Sequence, residues 1–164
     1  MNIVLTGGTS GLGYRTAQVL GSEIKNKIIL IGSNKHKGEN SVKALIKETS
    51  NKNISFKKCD LSSISEIKSL ANNLKKIKID ILINNAGALF FSRKESVDKI
   101  EKTFALNHLS YFILTNLLLK YKVIKNGGRV VNVASGAHRG VKIDLNNLEM
   151  VGNYNGWISY KKSK

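Results

Sequence analysis

The chain has 164 residues, with 27 Lys and Arg against 11 Asp and Glu, a formal net charge of +16. At 41% hydrophobic residues, that length supports one average-sized core and excludes a disordered tail or two large domains. No apolar run approaches the roughly 20 residues of a membrane span. The lone Cys59 excludes an internal disulfide framework or a cysteine-rich zinc site. Residues Met1 to Thr6 carry no secretory pattern, so the expected compartment is cytoplasmic. Of the basic residues 23 are Lys and four are Arg, scattered along the chain; Asn and Ile each occur 18 times and Pro not at all. AT-rich coding accounts for that set. Nonspecific, salt-sensitive sticking to polyanions is expected, with no specific nucleic-acid partner.

In chain order, the first predicted element is a strand at Asn2–Thr6. It runs into Thr6-Gly7-Gly8-Thr9-Ser10-Gly11-Leu12-Gly13 and then a helix pattern through Ala17, Val19 and Leu20. Glycines at 7, 11 and 13 permit a tight turn and close approach to a pyrophosphate, which the helix start attracts through free N–H groups. An ordinary strand–helix loop is the alternative reading of such a turn. A second strand at Lys27–Gly32 leads to a helix marked by Val42, Leu45, Ile46 and Thr49. The third strand, Ile54–Cys59, ends in Asp60-Leu61 before a helix marked by Ile64, Ile67, Leu70, Ala71 and Leu74. The fourth, Ile79–Asn84, ends in Asn84-Asn85-Ala86-Gly87. A long helix is predicted from Ser96, as N-cap, to about Tyr121. Gly127-Gly128 then turns the chain into a fifth strand, Arg129–Ala134. Mostly continuous apolar strands alternating with helices imply right-handed crossovers and a parallel sheet covered on both faces. The expected fold is α/β, a Rossmann-type doubly wound sheet in three layers, in one domain spanning 1–164.

TGGTSGLG, Asp60-Leu61, NNAG at 84–87, Asn107 within FALNHLSYFILTN, Ser135 within VVNVASGAHRG, and Tyr160-Lys161-Lys162-Ser163-Lys164 follow one another collinearly. This series resembles the short-chain dehydrogenase/reductase superfamily. The AHRG segment and the 25-residue interval from Ser135 to Tyr160 are most similar to its retinol-dehydrogenase and protochlorophyllide-reductase-like branch, and NNAG favours the former. The resemblance implies hydride transfer between a nicotinamide and a carbonyl or alcohol substrate. It implies Tyr160 as acid/base, Lys164 as its pKa tuner and a ribose ligand, Ser135 bonding the substrate oxygen, and Asn107 holding a relay water. Cofactor contacts are then expected from Gly7, Thr9, Ser10, Gly11, Leu12, Gly13, Asp60, Leu61, Asn85, Ala86, Gly87, Tyr160 and Lys164. Asn84 is expected to brace the sheet and Asn85 to face the cofactor. Asp60 is also open to a plain capping reading near Ser62 and Ser63.

The residues themselves add three expectations. After the second strand the chain reads Gly32-Ser33-Asn34-Lys35 with no acid before Glu39. An acid there would bond a ribose diol and repel a 2′-phosphate, so Ser33, Asn34 and Lys35 favour NADP(H) over NAD(H). The branch often has Arg where Ser33 stands, which removes a bidentate phosphate contact. Tyr160 and Lys164 are four apart and share a helix face; a free phenol ionises near pH 10, and a neighbouring ammonium favours the phenolate. Trp157 is read as packing the helix start, with the border of a substrate pocket as the other reading, and Cys59 as a small core residue. His36, His108 and His138 lack other ligands at metal spacing, so no metal is expected.

The chain stops at Lys164, inside the helix carrying the Tyr–Lys pair, and the fifth strand is expected to lie at a sheet edge. The resemblance therefore implies the N-terminal part of an oxidoreductase with an incomplete C-terminal end and little turnover alone. The alternatives are a noncatalytic dinucleotide-binding remnant or partner-binding module, and a protochlorophyllide-reductase-like reduction. The expected partner is a small carbonyl or alcohol substrate, with a homo-oligomer allowed.

Overall fold

The computed structural model describes residues 1–164. Five parallel strands, β1 (Asn2–Thr6), β2 (Lys27–Gly32), β3 (Ile54–Lys58), β4 (Ile79–Asn84) and β5 (Ile124–Asn132), stand in the order β3-β2-β1-β4-β5. From β1 the chain winds outward through β2 to β3, then crosses to the other side for β4 and β5. The winding direction reverses between β1 and β4, which opens a crevice at the carboxyl ends of these strands.

Strand alternation sends side chains to two cores. On one face Ile3, Leu5, Ile28 and Leu30 pack with Ala17 of α1 (Gly11–Gly21) and Leu45 of α2 (Lys35–Thr49). On the other, Val4, Ile31 and Leu82 pack with Ile67, Leu70 and Leu74 of α3 (Ile64–Leu74) and with Leu114 and Leu118 of α5 (Ser110–Lys120). Two helix layers on one sheet make the three-layer architecture that the strand–helix alternation predicts. Leu114 and Leu118 are fully buried; each contributes about 1.5–3 kcal/mol relative to an exposed side chain.

Two predicted elements differ. The long helix does not begin at Ser96. That residue's Oγ accepts from the Asp98 and Ile100 amides and closes a turn. The helix begins instead at α4 (Lys102–Phe104), where both carboxylate oxygens of Glu101 accept backbone N–H groups, from Thr103 at 2.9 Å and Phe104 at 2.8 Å. α4 continues through a π-helical turn, Ala105–Leu109, into α5. The second difference is at β5, which begins at Ile124, so Gly127-Gly128 lies inside the strand instead of before it. Gly127 has φ +78, and the β4–β5 register slips between Ile79 and Ile81. This is a bulge that only a residue tolerating positive φ accommodates. β5 pairs with β4 alone and is the sheet edge. A short 3-10 turn (Gly136–His138) and α6 (Gly156–Ser163) complete the described elements. No helix is long and apolar enough to cross a membrane.

Candidate active site

A cleft of about 930 Å³ lies over the carboxyl ends of the strands. Its walls include Gly7, Thr9, Ser10, Gly11, Leu12 and Gly13 from the first loop and Ser33 after β2. Asp60 and Leu61 follow β3, Asn85, Ala86 and Gly87 follow β4, and Ser135, Tyr160 and Lys164 close the far end. The opening glycine turn and the terminal Tyr–Lys pair, 147 residues apart in sequence from Gly13 to Tyr160, thus share one cavity. Of the residues expected in the site, Asn34, Lys35 and Asn107 are absent from its wall.

The first loop is shaped by backbone approach. Gly7 (φ +68) packs so closely on the turn after β4 that a Cβ would lie 2.8 Å from Ala86 Cα. A Cβ on Gly13 would lie 2.2 Å from the Gly7 carbonyl oxygen. Thr6 Oγ1 accepts from the amides of Asn85 and Ala86 at 2.9 and 3.0 Å, which clamps the two loops together. The Asn85 side chain faces the same way: its Nδ2 donates to the carbonyls of Thr6 at 3.0 Å and Gly7 at 3.2 Å. Asn85, expected to face the cofactor, lies on the cleft wall and also braces the glycine turn, whose carbonyls need donors. Asn84, fully buried, donates to Thr115 Oγ1 at 3.0 Å and Asn132 Oδ1 at 2.8 Å, joining β4 to α5 and β5.

The start of α1 differs from those of α2, α3 and α6. Asn34, Ser63 and Asn155 cap α2, α3 and α6 with side-chain oxygens, whereas Ser10 makes no such bond and the first turn of α1 holds no acid. Its N–H groups and the positive end of its dipole therefore face the cleft unneutralised. Gly11 beside it, at φ +54, would meet nothing within 4 Å if it carried a Cβ, which leaves room above the turn.

Asp60 follows the capping reading in part: its Oδ1 accepts from Ser62 N at 2.9 Å and Ser62 Oγ at 2.7 Å, an Asx turn ahead of α3. Asp60 still lines the cleft. After β2, Asn34 Oδ1 is engaged by Lys37 N at 2.9 Å, and Lys35 is largely exposed, 3.9 Å from Glu39. Cys59 is buried at the cleft floor, where burial, and then the charges of Glu66 and Asp60, push its thiol up to about 12.

At the far end, Tyr160 and Lys164 lie on one side of α6. Lys164 Nζ donates to the Val133 carbonyl at 3.1 Å and sits 5.3 Å from the centre of the Tyr111 ring. Burial lowers its pKa from the usual lysine value. Gly87 makes this approach possible, since a Cβ there would be 3.3 Å from Lys164 Nζ and 3.2 Å from Asn107 Oδ1. Tyr111 donates to the Ala86 carbonyl at 2.9 Å, and burial, then the neighbouring Tyr160, push its phenol up. Ser135, at the end of the segment after β5, accepts from the Ala137 amide at 3.2 Å.

Asn107 lies behind the wall, in the π-helical turn. Its Oδ1 accepts from Ala88 N at 2.9 Å, and its Nδ2 donates to Ala88 O and Ser163 Oγ, each at 2.9 Å. Its side-chain amide is engaged by these protein groups. Trp157 stacks on Tyr160 of the same helix at 5.7 Å between ring centres and also lines the cleft, so it packs the helix start at the cleft's border. Sequence reasoning missed Glu101 and the backbone of Ala88 and Val133. Of these only Glu101 carried a signal, an acid one residue before a helix start.

The model of the family described as short chain dehydrogenase matches residues 1–143. Human polyprenol dehydrogenase is 35% identical over 169 residues, covering 98% of this chain and 50% of that protein. Human retinol dehydrogenase 12 is 32% identical, covering 99% of this chain and 52% of its own length. The chain therefore spans about half the length of these curated relatives. Among solved structures, an uncharacterized protein from Mycobacterium paratuberculosis superposes with a TM-score of 0.87 at 32% identity, covering 99% of this chain and 57% of that one. Motif order, sheet topology and these similarities agree: the chain belongs to the short-chain dehydrogenase family, in the branch that includes the retinol dehydrogenases.

Proposed function

We propose that residues 1–164 form the dinucleotide-binding and proton-transferring part of an NADP(H)-dependent oxidoreductase acting on a carbonyl/alcohol pair. The observation that carries this reading is the single cleft with an uncapped helix start at one end and Ser135, Tyr160 and Lys164 at the other. The residues fit a dinucleotide: the space above Gly11 and the free N–H groups of α1 suit a pyrophosphate, and Ala86 and Gly87 present little bulk beside it. Thr9, Ser10, Leu12 and Gly13 complete that cradle, and Asp60, Leu61 and Asn85 shape the adjoining wall.

When bound, a nicotinamide supplies the hydride chemistry. The protein's share is to place and protonate the substrate oxygen. Ser135 Oγ donates to that oxygen, and Tyr160 passes its phenolic proton to it during reduction or receives one during oxidation. Lys164 holds positive charge beside the phenol and, through its bond to Val133, a fixed position. Asn107 acts from behind by tying Ala88 to Ser163, which sets the end of α6.

The absence of an acid between Gly32 and Glu39 favours a 2′-phosphate. Ser33 Oγ, Asn34 Nδ2 and Lys35 Nζ are the donors left for it once Asn34 Oδ1 has capped α2. Titration of the protein with NADPH, followed by energy transfer from its single tryptophan, Trp157, tests the reading. Saturable binding is expected, weaker than in a longer chain. No interaction at about 1 mM cofactor, where even about 4 kcal/mol of binding would register, would refute it.

A further inference from the structure

Glu101 is fully buried and has no Lys, Arg or His within 4 Å of its carboxylate. A buried charge is retained only when hydrogen bonds or countercharges surround it. Here Oε1 accepts from Thr103 N at 2.9 Å and Oε2 from Phe104 N at 2.8 Å. Two hydroxyls complete the shell: Tyr154 OH, 3.1 Å from Oε1, and Ser159 Oγ, 3.1 Å from Oε2. The first pair belongs to the helix that carries Asn107. The second pair belongs to the segment entering α6 and to α6 itself.

Six residues further on, Asn107 makes a second tie to the same helix, through Ser163 at 2.9 Å. Ser159 and Ser163 are four apart, both buried, and form one stripe of α6. Tyr160 and Lys164 are each one residue later, so they lie about 100° around the helix from that stripe. Fastening the serines therefore fixes which way the tyrosine and lysine point.

We propose that Glu101 is a positioning residue that sets the rotation of α6 through Ser159, so that Tyr160 and Lys164 face the cleft. The inference rests on the proposed function only in taking that pair as the reacting groups. Glu101 touches neither of them, and its influence passes through the Ser159 hydroxyl and the Tyr154 hydroxyl.

The test is Ser159→Ala in the 164-residue chain, which removes one hydroxyl and leaves the Glu101 cap on α4 intact; Glu101→Gln is the second variant. Amide exchange at Tyr160–Ser163 is expected to accelerate about tenfold in Ser159→Ala, while β1 and β4 stay within about twofold. The near-ultraviolet circular dichroism of Trp157, stacked on Tyr160, is expected to lose about half its amplitude, with a thermal midpoint within about 4 °C of the parent. Glu101→Gln is expected to show the same local pattern. Parent exchange rates in α6, or equal acceleration in every element with an unchanged Trp157 signal, would overturn the proposal. None of these measurements needs a cofactor, so failure to bind NADPH would remove the proposed function without deciding this point.

Discussion

Gly13→Ala tests whether the glycine turn is built on backbone contact. In an ordinary helix the change stabilises by about 1 kcal/mol, because alanine loses less conformational entropy than glycine. Here the new Cβ would sit 2.2 Å from the Gly7 carbonyl oxygen and 2.5 Å from Asn85 Nδ2. Restoring an ordinary 3.4 Å contact requires the carbonyl to retreat by about 1.2 Å. Neither partner is a free side-chain end, since the carbonyl is main chain and Asn85 Nδ2 donates to that same oxygen at 3.2 Å. Overpacking of this kind costs about 1–3 kcal/mol, and the displaced hydrogen bond adds about 1 kcal/mol. The losses outweigh the helix gain, leaving a net destabilisation of about 1–3 kcal/mol and a fall in thermal midpoint of about 2–12 °C for a chain of this size. Because the same carbonyl belongs to the turn proposed to cradle the pyrophosphate, NADPH affinity should fall more than tenfold, a change of over about 1.4 kcal/mol. Thermal denaturation with parallel fluorescence titration measures both. Gly136→Ala, whose Cβ meets nothing within 4 Å, is the control and should stay within about 0.5 kcal/mol of the parent. A Gly13→Ala protein as stable as the parent, with undiminished NADPH binding, would refute the close-approach argument.

In a chain extended to the length of its relatives, Tyr160→Phe should lower carbonyl reduction by at least about 100-fold, with NADPH affinity within about threefold of the parent. Substantial retained turnover would remove Tyr160 as acid/base. Lys35→Glu should weaken NADPH binding several-fold and leave NADH nearly unchanged; equal effects on both, by competition titration, would argue against a 2′-phosphate at that turn. The Asp80 carboxyl is held below its usual range by its hydrogen bond to Lys125 and then by the Asn2 amide. The stability this contributes is complete above 3.8, the ordinary value, and is lost as pH falls through the lower folded value. Urea midpoints of Asp80→Asn should therefore decline less steeply than the parent's in that acid range, and an identical slope would contradict the assignment. With its thiol pushed up to about 12, Cys59 should stay unlabelled by a disulfide reagent at neutral pH until urea unfolds the chain; rapid labelling of the native protein would show an open floor to the cleft.

The elements legible in the sequence were those whose partners are close along the chain or whose pattern repeats. β1, β2 and β4 span the residues that apolar runs predict, because strands buried on both faces need continuous apolar side chains. The apolar spacing in α3 likewise matches its buried stripe, and in α2 Leu45 is buried with Val42 and Ile46 half-buried against the same core. The helix start at 96 misled because Ser96 is a good cap by type, yet its oxygen closes a turn on its own neighbours. Gly127-Gly128 reads as punctuation, but the pairing of β5 with β4 absorbs it as a bulge.

Within the cleft the division is the same. The residue types of the glycine turn and of Tyr160–Lys164 mark both ends of the cleft, since few side chains allow so tight a backbone approach or suit the proton transfer proposed for that pair. What each neighbouring polar group does was set by partners far along the chain. Asn85 turns to the carbonyls of Thr6 and Gly7, 79 and 78 residues away, Asn107 meets Ser163 across 56, and Ser159 finds Glu101 across 58. A hydrogen-bonding side chain has several acceptable partners, and its own type does not choose among them. Local periodicity and motif chemistry determined the alternating sheet and the ends of the cleft, whereas packing of distant loops decided which polar groups line it and which hold its walls in place.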